Sequence, residues 1–181
     1  MKRYVALLRG IAPSGENMTN DKLRRVFEEL GFTAVGSVLA SGNITFRTAE
    51  ADVPSLETRI EEALVSELRV NSRTIIREYA ELRSLVDSDP FPGLTHGDRT
   101  YLTATFVKDG GRVPDVMPAE PTSSIRVVRY DRAARAVLAV TDTSDPAAAS
   151  GFMSWLEKSC GKDITTRSWL TVRRVVRKLE S

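Results

Sequence analysis

Three short segments join glycine-permitted backbone to polar or cationic side chains at the ends of apolar runs, and each has the means to hold an anion. The first is Leu8-Arg9-Gly10-Ile11, continuing into Gly15-Glu16-Asn17. A strand that ends in glycine and feeds a helix start through a second glycine can turn backbone N–H groups toward an anion, with the helix dipole adding attraction. Arg9 would add a planar, permanently charged fork. A complete G-x-G-x-x-G and the Lys-Ser/Thr of a phosphate loop are both missing. The plainer reading is that Arg9 pairs with a carboxylate and Gly10 permits a turn. The second segment is Ser41-Gly42-Asn43, where Gly and Asn tolerate positive φ, so that turn chemistry competes with a binding loop. Ser41 as a nucleophile lacks a base and the G-x-S-x-G elbow. In the third, Thr165-Thr166-Arg167-Ser168-Trp169 with Thr171, hydroxyls ahead of a helix are ordinary cap acceptors. The same placement would let Thr166, Arg167 and backbone N–H groups grip a phosphate or carboxylate.

The elements that must position these groups follow from periodicity. Arg3 to Arg9 is a β-compatible apolar run too short for a stable helix, followed by Gly10 and the Pro13-Ser14-Gly15 turn. Thr19 can cap a helix striped by Leu23, Val26, Phe27 and Leu30, with Gly31 in the C-cap region. Thr33 to Leu39 and Asn43 to Phe46 read as a hairpin around Ala40-Ser41-Gly42. Asp52 and Pro54 then open a helix striped by Leu56, Ile60, Ala63, Leu64 and Leu68. Thr74 to Ile76 supplies a fourth strand. The order β-α-β-β-α-β predicts an α+β chain with a ferredoxin-like first subdomain.

Tyr79 to Val86 forms a short helix, and Asp89-Pro90-Phe91-Pro92-Gly93 punctuates the chain, dividing it into residues 1–89 and 90–181. Beyond this, Tyr101 to Val107 is a strand and Lys108 to Ser124 a proline-containing loop. Ile125 to Tyr130 and Ala134 to Val140 form a second hairpin, Pro146 opens a helix, and Ile164-Thr165 is a short strand. A second α+β subdomain similar to the first is expected. Ser168 to Leu179 is a C-terminal amphipathic helix with Trp169, Val172, Val176 and Leu179 on one face and a basic flank elsewhere.

Composition narrows the chemistry. With 181 residues, 41% hydrophobic and 28% charged, the chain can bury a real core. No apolar stretch approaches the roughly 20 residues of a membrane crossing, and Tyr4 to Leu8 is too short for an export signal, so a cytoplasmic protein without membrane partners is expected. A single cysteine, Cys160, cannot form an internal disulfide, in keeping with a reducing compartment. It falls on the apolar stripe of its helix, which favours a buried thiol over a dyad with His96. One histidine excludes a His-rich metal centre, and Asp87 with Asp89, like Asp142 with Asp145, reads as turns and caps, so neither metal nor cofactor is expected. Residues 1–90 hold 12 Lys+Arg against 14 Asp+Glu and the remainder 14 against 10, a mild asymmetry rather than a nucleic-acid stripe. An RNA-binding reading would need stacking aromatics in the third strand, where Phe46 stands alone.

Several of these residues together resemble the bacterial domain-of-unknown-function family 1697. The resemblance rests on Tyr4-Val5-Ala6-Leu7-Leu8-Arg9-Gly10-Ile11, Leu23-Arg24 through Leu30-Gly31-Phe32, Ser41-Gly42-Asn43 with Phe46, and Thr165-Thr166-Arg167 with Trp169, Thr171 and Val172. It implies a cytosolic α+β protein with a ferredoxin-like portion and no established activity. The family pattern continues Arg-Gly-Ile with Asn-Val-Gly-Gly, where this chain has Ala12-Pro13-Ser14-Gly15. Ala40 replaces a Gln before Ser-Gly-Asn, and Ser168 and Leu170 replace two Asn residues.

The expectation is a binding module for a small anionic, phosphate-bearing ligand, contacted by Arg9, Gly10, Asn17, Ser41, Gly42, Asn43, Thr166 and Arg167. Two other classes compete with it. An enzyme acting on that ligand would use Arg9 and Arg167 to stabilise transition-state charge but lacks an evident general base. A nucleic-acid binder would use the basic second half.

Overall fold

The computed structural model describes residues 1–181 and divides them into two units, Met1–Leu82 with Arg174–Ser181, and Arg83–Arg173. The first division falls within a helix rather than at the proline-rich 89/90 border, and the end of the last helix belongs with the first unit.

In the first unit the expected order is realised as β1 (Lys2–Leu8), α1 (Asn20–Glu29), β2 (Thr33–Ser37), β3 (Asn43–Thr48), α2 (Val53–Leu68) and β4 (Thr74–Glu78). Local signals set the helix ends. The Thr19 side chain accepts from Lys22 N, Asp52 accepts from Ser55 N, and Gly31 has φ +82° just past α1. The sheet order is β2-β3-β1-β4, all antiparallel. Alternation sends Tyr4, Ala6, Leu8, Ile44, Phe46 and Ile76 into a core closed by Leu23, Phe27, Leu56, Ile60 and Leu64 of the helices. Phe46 stacks on Phe32 at 4.6 Å between ring centroids and meets Phe27 edge-on at 5.4 Å. Phe46 therefore sits inside the core and offers no exposed ring for a base, the opposite of what the RNA-binding alternative required.

β4 is an edge strand, and its outward amides are closed by carboxylates. Glu61 accepts from Thr74 N (2.8 Å), Glu57 from Ile76 N (2.9 Å) and Glu81 from Glu78 N (2.7 Å). Glu57 and Glu61 are one turn apart on α2, so one helix face satisfies alternate residues of the strand.

The second unit repeats this plan. β5 (Thr100–Val107), β6 (Ile125–Asp131), β7 (Ala136–Asp142), α4 (Ala148–Cys160) and β8 (Ile164–Ser168) give the antiparallel order β6-β7-β5-β8. Equivalent backbone bonds recur. Leu8 N donates to Gly42 O (2.8 Å) where Val107 N donates to Arg135 O (2.9 Å), and Arg9 N donates to Arg73 O (2.8 Å) where Lys108 N donates to Asp163 O (2.8 Å). α1 has no counterpart, and the loop 108–124 takes its place, packing Val113 and Met117 on the core of Val107, Val137, Phe152, Leu156 and Cys160. α4 begins at Ala148, two residues after Pro146, and its cap residue Ala147 has no side chain to accept from the first turn. After the last strand of each sheet the chain enters a helix, α3 (Tyr79–Asp87) after β4 and α5 (Trp169–Glu180) after β8.

Candidate functional site

Arg9 follows directly on β1, and both of its main-chain polar groups are fixed. Its N–H donates to Arg73 O (2.8 Å), and its carbonyl accepts from Ser72 Oγ (2.8 Å). The side chain is half-buried. Arg73, exposed, immediately precedes β4, so the strand order sets two arginines side by side at one end of the sheet. Ser72 and Arg73 escaped the sequence reading because only the β1–β4 pairing brings residues 63 positions apart together.

The hairpin tip lies at the same end. Gly42 has φ +74°, and a Cβ there would come within 2.7 Å of Ile11 Cγ1 and 2.9 Å of Leu8 Cβ, so only glycine allows the tip to lie against the end of β1. Asn43 is fully buried, and its Nδ2 donates to Val38 O (2.9 Å) and Ser41 Oγ (3.1 Å). Its amide thus clamps the turn, and Ser41 supplies one of the acceptors. Gly10 is exposed with φ +78° and nothing within 4 Å of its Cβ position, so conformation alone explains the glycine. Asn17 Oδ1 accepts from Lys22 Nζ (3.0 Å), which ties the loop before α1 to the helix. Arg9, Gly10, Ser41, Gly42 and Asn43 are brought together, whereas Asn17 is engaged by α1.

In the second unit, β8 runs through to Ser168, and this changes the third candidate segment. Thr166 and Arg167 stand within the strand, opposite Thr105 and Ala104, rather than at a helix start. Adjacent strand residues point to opposite faces. Thr166 accordingly faces α4, where its Oγ1 lies 2.8 Å from Thr105 Oγ1 and 3.5 Å from Met153 Sδ. Arg167 points to the other face with Thr165 and donates from Nη1 to Thr165 Oγ1 (2.7 Å) and Thr166 O (2.9 Å). Loss of hydration pushes Arg167 down to about 10, which leaves it charged at neutral pH. The helix cap falls to Ser168, whose Oγ accepts from Thr171 N (3.2 Å).

Other chemistry-bearing residues take structural places. Cys160 is buried in the second core, where burial pushes its thiol pKa up. His96 Nδ1 accepts from Leu102 N (3.3 Å). Asp142 and Asp145 are held below the usual carboxylate range by hydrogen bonds from Ser144 and from Ser124 with Ala147 N, the turn roles expected of them. No group of three or more His, Cys, Asp or Glu is arranged to hold a metal ion, and no helix is long and apolar enough to cross a membrane.

Two four-stranded antiparallel sheets of repeated order, one ending in a cluster of arginine, glycine, serine and asparagine, define an α+β protein built on a duplicated plan. The chain belongs to the family of proteins of unknown function DUF1697, whose sequence pattern matches residues 1–131. That match covers β1 through β6 and stops short of Thr166 and Arg167. A conserved bacterial protein from Streptococcus pneumoniae has the same fold, with a TM-score of 0.75 and 16% identity over 100% of this chain and 99% of its own. No curated protein matches the chain.

Proposed function

We propose that the chain is a cytoplasmic binding module, built on a ferredoxin-like first unit, for a small anionic ligand bearing phosphate. The observation that carries this reading is the 2.8 Å bond from Arg9 N to Arg73 O, which sets two guanidinium-bearing residues side by side on rigid strand ends next to Ser41 and Asn43. Arginine forks suit phosphate and carboxylate geometry, and a pinned backbone lowers the entropy lost on binding. In the second unit, Arg167 is half-buried and already donates to Thr165 Oγ1 and Thr166 O, and an approaching anion there would recover part of the hydration it has given up.

Thermal-shift and calorimetric titrations with inorganic phosphate, pyrophosphate and nucleoside diphosphates test this, using wild type, Arg9→Ala, Arg167→Ala and the distant control Arg25→Ala. At least one ligand is expected to stabilise the wild type and the control while losing about tenfold in affinity with Arg9→Ala. Equal stabilisation of all four proteins would remove the proposal.

A further inference from the structure

Arg3 of β1 and Arg47 of β3 are direct cross-strand partners in the antiparallel ladder, so their side chains leave the same face of the sheet. Like charges placed this way repel. Lys178, from the last turn of α5, lines the same cleft of about 230 Å³, whose walls include Ala34, Val35 and Leu179. No acidic side chain lines it, and the one carboxylate among its lining residues is the main-chain terminus of Ser181.

The immediate surroundings satisfy only one of the three cations. Arg3 Nη1 donates to Leu179 O (2.8 Å), and its guanidinium carbon lies 3.9 Å from the centre of the Tyr79 ring. Arg47 and Lys178 take part in no ion pair. Glu180, on the same turn of α5, accepts instead from the Tyr79 hydroxyl (3.4 Å). The larger groove of the second unit, about 330 Å³, differs in kind, because Arg99 and Arg126 share it with Glu120 and Asp142.

The backbone is shaped around the cleft as well. β2 carries a bulge between Thr33 and Gly36, and Ala34 within it holds φ +49°, a conformation that costs energy for a residue with a Cβ. At Gly36 a Cβ would lie 3.0 Å from Lys178 Cε and 2.9 Å from Thr45 Oγ1, so the missing side chain gives the lysine stem its place. Bulge, glycine and helix end thus bring a third positive charge toward two that already oppose each other.

The geometry points to a second anion site, separate from the Arg9 cluster, that takes a small multivalent phosphate oxyanion between Arg47 and Lys178, with Arg3 as the anchored third cation. The cleft has room for one or two phosphate groups and little more. A divalent anion there turns the repulsion between the arginines into shared attraction.

The test is calorimetric titration of the whole chain with pyrophosphate at physiological ionic strength, in an Arg9→Ala/Arg167→Ala background so that any remaining isotherm belongs to the cleft. Citrate in a parallel arm separates phosphorus oxyanions from carboxylates. Arg47→Gln is expected to weaken pyrophosphate by about tenfold and Lys178→Gln by about threefold, while Gly36→Ala weakens it without changing any charge. In anion-free buffer Arg47→Gln should melt above its parent, because the like-charge pair is gone, and added pyrophosphate should close that gap. An isotherm indifferent to all three substitutions, or one that vanishes at physiological salt, would mean an adventitious ion only and overturn the proposal. Citrate binding as tightly as pyrophosphate would overturn the phosphate assignment. Binding by the wild type with no isotherm left in the Arg9→Ala/Arg167→Ala background would leave the Arg9 reading standing and this one refuted.

Discussion

Arg77 and Arg167 occupy the same station in two sheets. Arg77 of β4 lies opposite Val5 of β1, and Arg167 of β8 lies opposite Ala104 of β5. Each stands two residues before the helix that follows its strand, and an aromatic, Tyr79 or Trp169, opens that helix. The repeated plan therefore extends to a cation on corresponding faces, although only Arg77 is fully buried.

That difference gives the first prediction. Arg77 donates from Nη1 to Ile76 O at 2.7 Å inside a closed environment, so Arg77→Ala leaves a cavity and strips a partner from a buried carbonyl. It should cost about 2–4 kcal/mol of stability, against about 1 kcal/mol for the half-buried Arg167→Ala. Chemical denaturation of both variants checks the ranking, and a larger loss at Arg167 would contradict it.

The edge of the first sheet supplies the second. Glu57 is buried, and its carboxylate accepts from Ile76 N. Glu57→Gln keeps a carbonyl acceptor at that position and should be tolerated. Glu57→Ala leaves the amide unsatisfied, at a cost of about 1–3 kcal/mol. It also reopens the middle amide of the β4 edge, with Thr74 N and Glu78 N still held by Glu61 and Glu81, so light scattering should register some association during mild heating. Equal stabilities of the two variants would show that the hydrogen bond contributes nothing.

How far the sequence disclosed this arrangement depended on the range of the interactions involved. Thr19, Gly31 and Asp52 were legible because caps and left-handed turns are decided within a few residues. β8 read as ending at Thr165, because its extension to Ser168 depends on pairing with β5, some 60 positions earlier in the chain. Pairing also explains why Thr166 and Arg167 diverge, since a segment read as the approach to a helix carries no alternation of faces. Asn43 suits a turn clamp and a binding loop alike because an amide beside glycine serves both tasks, and it is the folded hairpin that turns its Nδ2 toward Val38 O and Ser41 Oγ. The Arg3–Arg47 opposition has no local signature at all. Register between strands creates it.

Glycine placement yields the third prediction, through a matched pair. Gly42 and Gly110 share a left-handed φ, +74° and +73°, but only Gly42 has neighbours close enough to meet a Cβ. Gly110→Ala should therefore cost about 1 kcal/mol from backbone strain alone, and Gly42→Ala should exceed it by about 1–3 kcal/mol because Leu8 and Ile11 must move. Thermal denaturation of the two variants separates strain from crowding. Indistinguishable midpoints would show that the hairpin tip shifts aside at no cost.

The fourth concerns alkaline pH. Burial pushes up both the Cys160 thiol, from an ordinary 9.0, and the Tyr4 hydroxyl, from an ordinary 10.0. The folded chain thus keeps protons that the unfolded chain releases. Stability contributed by such groups is intact below the unfolded pKa and falls as pH rises past it. Denaturation midpoints should decline above about pH 8.5, and Cys160→Ala should flatten the first part of that decline. A native thiol that reacts rapidly with a disulfide reagent at pH 8 would contradict the burial on which this rests.

The last prediction is a gain. Thr74 is fully buried at the start of β4, with its amide held by Glu61, yet its Oγ1 has no hydrogen-bond partner. A buried hydroxyl in that state has lost water without compensation. Thr74→Val keeps the branched shape that suits a strand and replaces the hydroxyl with a methyl group facing the same core as Leu8 and Ile76. The substitution should raise stability by about 1 kcal/mol, seen as a higher denaturation midpoint with an unchanged slope. A lower midpoint would mean that the hydroxyl is satisfied by an ordered water, and a crystal structure of the wild type would then show it between Thr74 and a neighbouring polar group.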